Sequence, residues 1–292
     1  MSNRYYIDPL VSVIHNDHVT LRGSEAFHFC RVMRGKSGDE IFLFDGVGGL
    51  FSGTVDSVQK DKVEVNLIEK IVTDNECPLK LTIAAALPKS DRQKFLVEKL
   101  AELGTHRFVP LQLERSVARA DSNVITRFQR YVIESAKQCC RNVLMEISNE
   151  TTLDNFIKQT QNYGSENNDS ENNVAQNNDV NDVKNNNDQN NVAQNIDDRN
   201  NVIPRINRRD FLRLLLHPVS LGAIGQITPK QLLSDNLPRN IVALIGPEGS
   251  FTNREISTCI ESNFIPLAMG ARILRTETAC VTVAALLLTY AG

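Results

Sequence analysis

The chain has 292 residues, 41% of them hydrophobic, and a formal net charge of -3. That length suits two ordinary domains. The most apolar stretch, 279–291, is too short to span a bilayer, and the first nine residues hold no signal-peptide core, so a cytoplasmic protein without a membrane partner is expected. Six scattered cysteines form no C-x-x-C pair, and the H-x-x-H of His15 and His18 lacks a third ligand; reduced thiols and no metal are expected.

Residues 1–72 read as mostly β. Segments 40–45, 50–58 and 62–71 are strands by their apolar patterning and glycine borders. Asp45-Gly46-Val47-Gly48-Gly49 is followed by another strand, not a helix, so it reads as a hairpin turn and not a dinucleotide loop. One short basic helix is expected over 24–34. The polar connector Thr73–Pro78, written T-D-N-E-C-P, marks the domain boundary.

From residue 79 the rhythm becomes strand–helix. Strands are expected at 79–87, 107–113, 211–217, 241–245 and 264–269, and helices at 91–103, 123–140, 151–159 and 277–290. Thr252-Asn253-Arg254-Glu255 is a capping box that opens another helix. This alternation predicts a parallel sheet covered on both faces. Residues 162–201 interrupt it: about two in five are Asn, and eight acidic residues face two basic ones. A disordered insertion is expected there. With it set aside, the remainder of the chain is net positive by three, which permits a nucleic-acid partner.

Two loops carry the chemistry. Gly246-Pro247-Glu248-Gly249 follows one apolar strand, and 270–279, G-A-R-I-L-R-T-E-T-A, follows another. Loops at the carboxyl ends of strands in an open α/β sheet are where a ligand pocket is expected. Each has a plainer reading: an ordinary strand-to-helix turn for the first, and a helix capped by Thr276 or Thr278 with an Arg–Glu pair for the second. There is no Ser-His-Asp grouping, Walker lysine loop or Cys/His ligand cluster. Group transfer from a bound organic cofactor remains.

Five strings occur in order: A-L-P-K-S-D-R (86–92), Q-C-C-R-N (138–142), L-H-P (216–218), I-G-P-E-G-S-F (245–251) and M-G-A-R-I-L-R-T-E-T-A (269–279). Together they resemble the RsmE family, 16S rRNA uridine N3-methyltransferases of the SPOUT superfamily. Residues 35–55 resemble that family's N-terminal domain, and the resemblance covers nearly everything except 162–203. It implies an α/β protein: an N-terminal PUA-like β-barrel over 1–72, then a SPOUT α/β domain over 78–292 with a trefoil knot, interrupted by the insertion at about 162–203. It also implies a homodimer, an S-adenosylmethionine cofactor, and as substrate one uridine near the 3′ end of 16S rRNA in the small ribosomal subunit.

By the same resemblance the cofactor loops map to Leu216 and His217, to Gly246, Pro247, Glu248 and Gly249, and to Leu267, Gly270, Ile273, Leu274, Arg275 and Thr276. Uracil N3–H is a weak acid, so its methylation needs a positive group near the developing anion. Arg275 is the first candidate and Arg272 the second, with Glu277 as proton acceptor or as a pairing residue. RNA phosphate contacts are expected from Arg4, Arg31 and Arg34 on the small domain, and from Lys89, Arg92, Arg115, Arg119 and Arg141 on the large one. Two departures stand out: Ser250 where the family usually has a second Gly, and Cys140 where Gly or a small residue is common. Ribose 2′-O methylation and a non-catalytic RNA-binding role are the rival readings.

Overall fold

The computed structural model describes residues 3–10, 12–15, 17–73, 75–162, 211–217, 226–234 and 237–292. Apart from position 162, the Asn-rich insertion lies outside the described residues. Two sheets organise the chain.

The first sheet holds β1 (Arg4–Tyr6), β2 (Val13–His15), β3 (His18–Arg22), β4 (Glu40–Phe44), β5 (Leu50–Val58) and β6 (Lys62–Ile71), in the order β1-β4-β5-β6-β3-β2. β1 runs parallel to β4, and every other pair is antiparallel. Period-two alternation turns one side chain in two inward. Tyr5, Val19, Leu21, Ile41, Leu43, Val55, Val63 and Val65 share one buried cluster. Strands from distant places in the order meet in it, so the sheet curls around its own core. Asp45 closes the β4–β5 hairpin by accepting from the N–H groups of Val47 and Gly49.

The helix expected over 24–34 is two pieces. α1 (Gly23–Phe27) runs into a π-helical turn, His28–Met33, which Arg34 ends in the left-handed conformation (φ 55°). The wider turn accompanies a division of labour: Phe29 packs edge-on against Tyr5 in the core, while Phe27 and Val32 stay exposed.

The second sheet holds β7 (Lys80–Ala86), β8 (Arg107–Gln112), β9 (Glu146–Ile147), β10 (Thr151–Thr152), β11 (Phe211–Leu216), β12 (Asn240–Ile245) and β13 (Ile265–Leu267). Its order is β10-β8-β7-β12-β11-β13, with β9 also on β8, and all pairs are parallel. The continuous apolar runs have the expected cause, burial on both faces. Leu81, Ile83 and Ala85 of β7 pack with α2 (Ser90–Glu102), α3 (Ser122–Cys139) and α7 (Thr276–Ala291). Ala84 and Ala86 face the opposite layer of α4 (Leu153–Asn162) and α6 (Asn253–Glu261). The capping box at Thr252 and Glu255 forms as the sequence predicts. A second one, Thr228 and Gln231 with a proline behind the cap, opens the short α5 (Pro229–Leu232) and was equally legible.

Two elements start or end differently from their patterns. Thr151 and Thr152 pair with Leu111 and Gln112, so that helix begins only at Leu153. β13 is three residues long, because the Ala268 N–H turns to the Ile227 carbonyl. The trefoil knot implied by the resemblance would involve the connection after β11, and residues 218–225 of that connection lie outside the described residues.

The sheets are joined by a polar seam that overturns two expectations. Arg4 and Arg141, expected to meet RNA phosphates, are 7% and 6% exposed. Arg4 donates to the Asn142 side-chain oxygen (2.5 Å) and to the Arg141 carbonyl (3.2 Å). Arg141 donates to Glu76 (2.8 Å) and to the Ala101 carbonyl (2.7 Å). Neither guanidinium is available to a phosphate: Arg4 satisfies a backbone carbonyl and an amide oxygen, and Arg141 a carboxylate and backbone carbonyls.

Both departures sit at left-handed positions: Cys140 at φ 62°, as the cap that ends α3, and Ser250 at φ 62°. Cys140 is exposed, so its side chain crowds no helix contact. Its cost is backbone strain, about 1 kcal/mol for a residue with a Cβ. Cys140→Gly is expected to raise the thermal midpoint by roughly 2–4 °C, checked by calorimetry; an unchanged or lower midpoint would show that no strain is stored there.

Candidate functional site

Parallel register brings three strand ends to one level. Leu216, last in β11, lies opposite Ile245, last in β12, and opposite Leu267, last in β13. The chains leaving these ends form a pocket of about 610 Å³, open mouth included.

The pocket gathers most of the residues the sequence nominated. Leu216 and His217 come from the first strand end, and Gly246, Pro247 and Glu248 from the second. Leu267, Gly270, Ile273, Leu274 and Thr276 come from the third. Gly249 and Arg275 were nominated but do not line it. Ile245, Ser250, Phe251, Met269 and Ala279 line it without having been nominated as site residues, though all five fall inside the quoted strings.

Two glycines are required by geometry. A Cβ on Gly246 would stand 2.9 Å from the Phe251 ring, and Gly270 has φ +101°, which residues with side chains rarely adopt. Thr276 ties the two loops together: its hydroxyl donates to the Gly246 carbonyl at 3.1 Å. It is therefore no helix cap. α7 is capped by Arg275 without a side-chain bond, and Thr278 does not cap it either. Ala279 N–H closes the first turn on the Arg275 carbonyl.

The charges divide into held and free. Arg92, at the start of α2, reaches Glu248 (3.4 Å) and Glu277 (3.5 Å). One guanidinium thus links the β12 loop to the first turn of α7, and Arg92 is part of the pocket's frame. Glu277 is 6% exposed and engaged through Oε1, while its Oε2 has no hydrogen-bond partner among the described residues. Arg115 donates to the Gly249 carbonyl at 2.8 Å, and Arg119 pairs with Glu150 at 2.6 Å. Arg31, Arg34, Lys89, Arg272 and Arg275 are exposed. The last two flank Ile273, which is itself 75% exposed at the pocket's edge.

Cys259 and Cys280 do not line the pocket, and burial raises both thiols, that of Cys259 to about 12. Among the described residues no group of three or more His, Cys, Asp or Glu side chains is placed to hold a metal, and no helix is long and apolar enough to cross a membrane.

Comparison with known proteins agrees with this geometry. The model of the RNA methyltransferase domain matches residues 75–197 and 176–288, and that of the RNA methyltransferase PUA domain matches 21–68. Ribosomal RNA small subunit methyltransferase E of Synechocystis is 29% identical over 265 residues, 89% of this chain and 69% of that protein. Its Bacillus subtilis counterpart is 26% identical over 94% of this chain and 92% of its own length. Among solved structures, the Neisseria gonorrhoeae enzyme of the same name, bound to S-adenosylmethionine, superposes with a TM-score of 0.69 at 23% identity, covering 99% of this chain and 98% of that one. A Legionella pneumophila methyltransferase structure with bound S-adenosylmethionine gives 0.72 at 24% identity, with the same coverage. Family models match both halves of the molecule: the chain belongs to the RNA methyltransferase family, with that family's PUA domain at its N-terminus, and it resembles the RsmE branch over nearly its whole length.

Proposed function

We propose that the protein is an S-adenosylmethionine-dependent methyltransferase acting on 16S rRNA of the small ribosomal subunit, and that it methylates N3 of uridine 1498 in the usual numbering. The observation that carries this reading is the pocket at the aligned ends of β11, β12 and β13, walled by the two loops whose strings the RsmE resemblance rests on.

The pocket's residues fit the cofactor's chemistry. Leu216, Leu267, Ile273 and Leu274 offer apolar surface to an adenine ring. The bare backbone at Gly270, with open space where a Cβ would stand, allows close approach, and Glu248 offers an acceptor to ribose hydroxyls or an amine. When bound, S-adenosylmethionine supplies a methyl group already activated on a sulfonium. Much of the rate then comes from alignment, which the loops provide.

The protein's own task is at the base. Uracil N3 must give up its proton to solvent water before its electron pair takes the methyl from sulfur, whose bonding pair stays with the departing thioether, and the imide anion that forms needs a positive neighbour. Arg275 is our assignment for that role. Its side chain is exposed between two pocket-lining residues, Leu274 and Thr276, so it faces outward where RNA arrives. Arg272 is second, being exposed on the same loop and part of the pocket lining. We assign Glu277 to holding Arg92 and not to proton transfer, because it lies behind the lining with one oxygen already engaged. Arg31, Arg34 and Lys89 are our assignment for RNA phosphate contacts. A homodimer in the cytoplasm completes the reading, carried by the family resemblance.

The decisive measurement is methyl transfer to naked 16S rRNA and to 30S particles, with the modified nucleoside mapped by mass spectrometry. N3-methyluridine is expected; a 2′-O-methylated nucleoside would replace this reading with its rival. Undetectable cofactor binding by calorimetry would point to a non-catalytic RNA-binding protein. Arg275→Ala is expected to lower kcat by roughly 10²-fold or more, with cofactor affinity little changed; near-normal turnover in a folded variant removes Arg275 from the catalytic role. For Arg31→Ala/Arg34→Ala, the log–log salt dependence of RNA affinity is expected to become shallower by about 1.4, two contacts' worth on single-stranded RNA. A slope equal to the unsubstituted protein's would take both residues out of the phosphate-binding set.

A further inference from the structure

The seam between the two sheets is built unlike a passive contact. Its apolar part is small: Phe44, Leu50 and Ala136, with Tyr6, Ile71 and Leu144 around them. Its polar part is extensive and buried. Lys137 of α3 reaches Glu25 of α1 at 3.1 Å, with both side chains under 10% exposed. Glu25 uses its other oxygen to accept the Tyr6 N–H at 3.2 Å. Arg4 clasps Asn142 as described, and Asn142 in turn donates to the Thr73 hydroxyl at 2.7 Å. The backbone joins in: Gly48 N–H donates to the Asn142 carbonyl (3.1 Å), and Leu144 N–H donates to the Gly46 carbonyl (2.9 Å). The β4–β5 hairpin tip, which the sequence could have mistaken for a phosphate loop, is thereby docked on the chain just after α3.

Burial of these charges is costly, and a buried ion pair adds little net stability over an apolar replacement. Burial raises the Glu25 carboxyl above its ordinary range even with Lys137 beside it, and it lowers the Arg4 guanidinium. What such a set does supply is direction. An apolar patch tolerates sliding, whereas a carboxylate, an ammonium and a side-chain amide with fixed partners accept one arrangement. Resting on the reading that RNA meets both the basic turn at Arg31 and Arg34 and the pocket edge at Arg272 and Arg275, we propose that Arg4, Glu25, Lys137 and Asn142 form an interdomain clasp that sets where the N-terminal domain stands relative to the methyl-transfer pocket, and so governs affinity for the RNA substrate. These are positioning residues: none of them lines the pocket.

The test uses the full-length protein with Lys137→Met, which leaves buried Glu25 with only the Tyr6 N–H and takes the same cation from exposed Glu134, and Lys137→Arg, which keeps the charge. Hydrogen exchange reads the clasp without reference to activity. In Lys137→Met the amides of Gly48 and Leu144 are expected to exchange about tenfold or more faster, while β7 and β12 amides keep their protection. Steady-state kinetics reads the consequence: KM for 16S rRNA is expected to rise roughly tenfold, with kcat, cofactor affinity by calorimetry, and turnover of a short uridine-containing RNA that reaches only the pocket all little changed. Lys137→Arg is expected to restore KM. Unchanged exchange at Gly48 and Leu144, or unchanged KM once exchange has risen, overturns the proposal. A joint fall in kcat, cofactor affinity and β12 protection also overturns it, since Lys137 would then be a general stability residue. Should Lys137→Met fail to fold, Glu25→Gln, which removes the charge paired with Lys137 and keeps an acceptor for the Tyr6 N–H, is read by the same measurements. If the unsubstituted protein transfers no methyl to any RNA, the functional reading fails, and the exchange experiment still decides whether the clasp holds the domains.

Discussion

Leu216 lies opposite Ile245 on one side and Leu267 on the other, and the site depends on that register. Three parallel strands ending at one level leave three chain segments to turn away from the same line of atoms. Parallel strands must be connected by crossovers, so these segments come from places far apart in the sequence. Residues 216–217, 246–251 and 267–276 become neighbours only because β12 sits between β7 and β11 while β13 lies beyond β11. The Thr276 hydroxyl on the Gly246 carbonyl then fixes the two glycine loops against each other, and Arg92 adds an electrostatic tie from a third element.

The basic residues illustrate how one chemical type serves different ends. Arg4 and Arg141 are consumed by the seam, Arg92 and Arg115 by the walls around the β12 loop, and Arg119 by Glu150. Of the basic residues nominated for RNA or for catalysis, Arg31, Arg34, Lys89, Arg272 and Arg275 remain exposed with no side-chain hydrogen bond or ion pair among the described residues. The guanidinium's planar fork suits it to satisfying several backbone and carboxylate acceptors at once, which explains why it is chosen for buried seams as readily as for phosphate contact.

Cys140 and Ser250 show the same constraint at different places. Each occupies a left-handed backbone position, Ser250 where the resemblance leads one to expect glycine and Cys140 where it leads one to expect glycine or a small residue. One ends α3 immediately before the seam, and the other lies in the β12 loop that walls the pocket. The surrounding bonds hold the backbone in place despite the strain: the Arg141–Leu144 segment is pinned to the hairpin tip, and Ser250 N–H closes a turn on the Pro247 carbonyl.

Much was legible in the sequence because it is local. The long strands of both sheets, the helices α2, α3 and α7, and the capping box at Thr252 follow from apolar periodicity and from side-chain bonds three residues apart. The five ordered strings identified the family, and ten of the twelve nominated cofactor residues line the pocket. The tertiary structure decided what depends on partners distant in the chain. A lone arginine in a sequence has no burial, so Arg4 and Arg141 looked like phosphate ligands until the fold brought Asn142 and Glu76 to them. Thr276 and Thr278 looked like caps because the Gly246 carbonyl that takes the Thr276 hydroxyl is thirty residues away. The length of β13 and the split of the first helix were set in the same way, by neighbours across the fold. Sequence fixes propensity and pattern along the chain, while hydrogen-bond satisfaction under burial is settled only when distant segments meet.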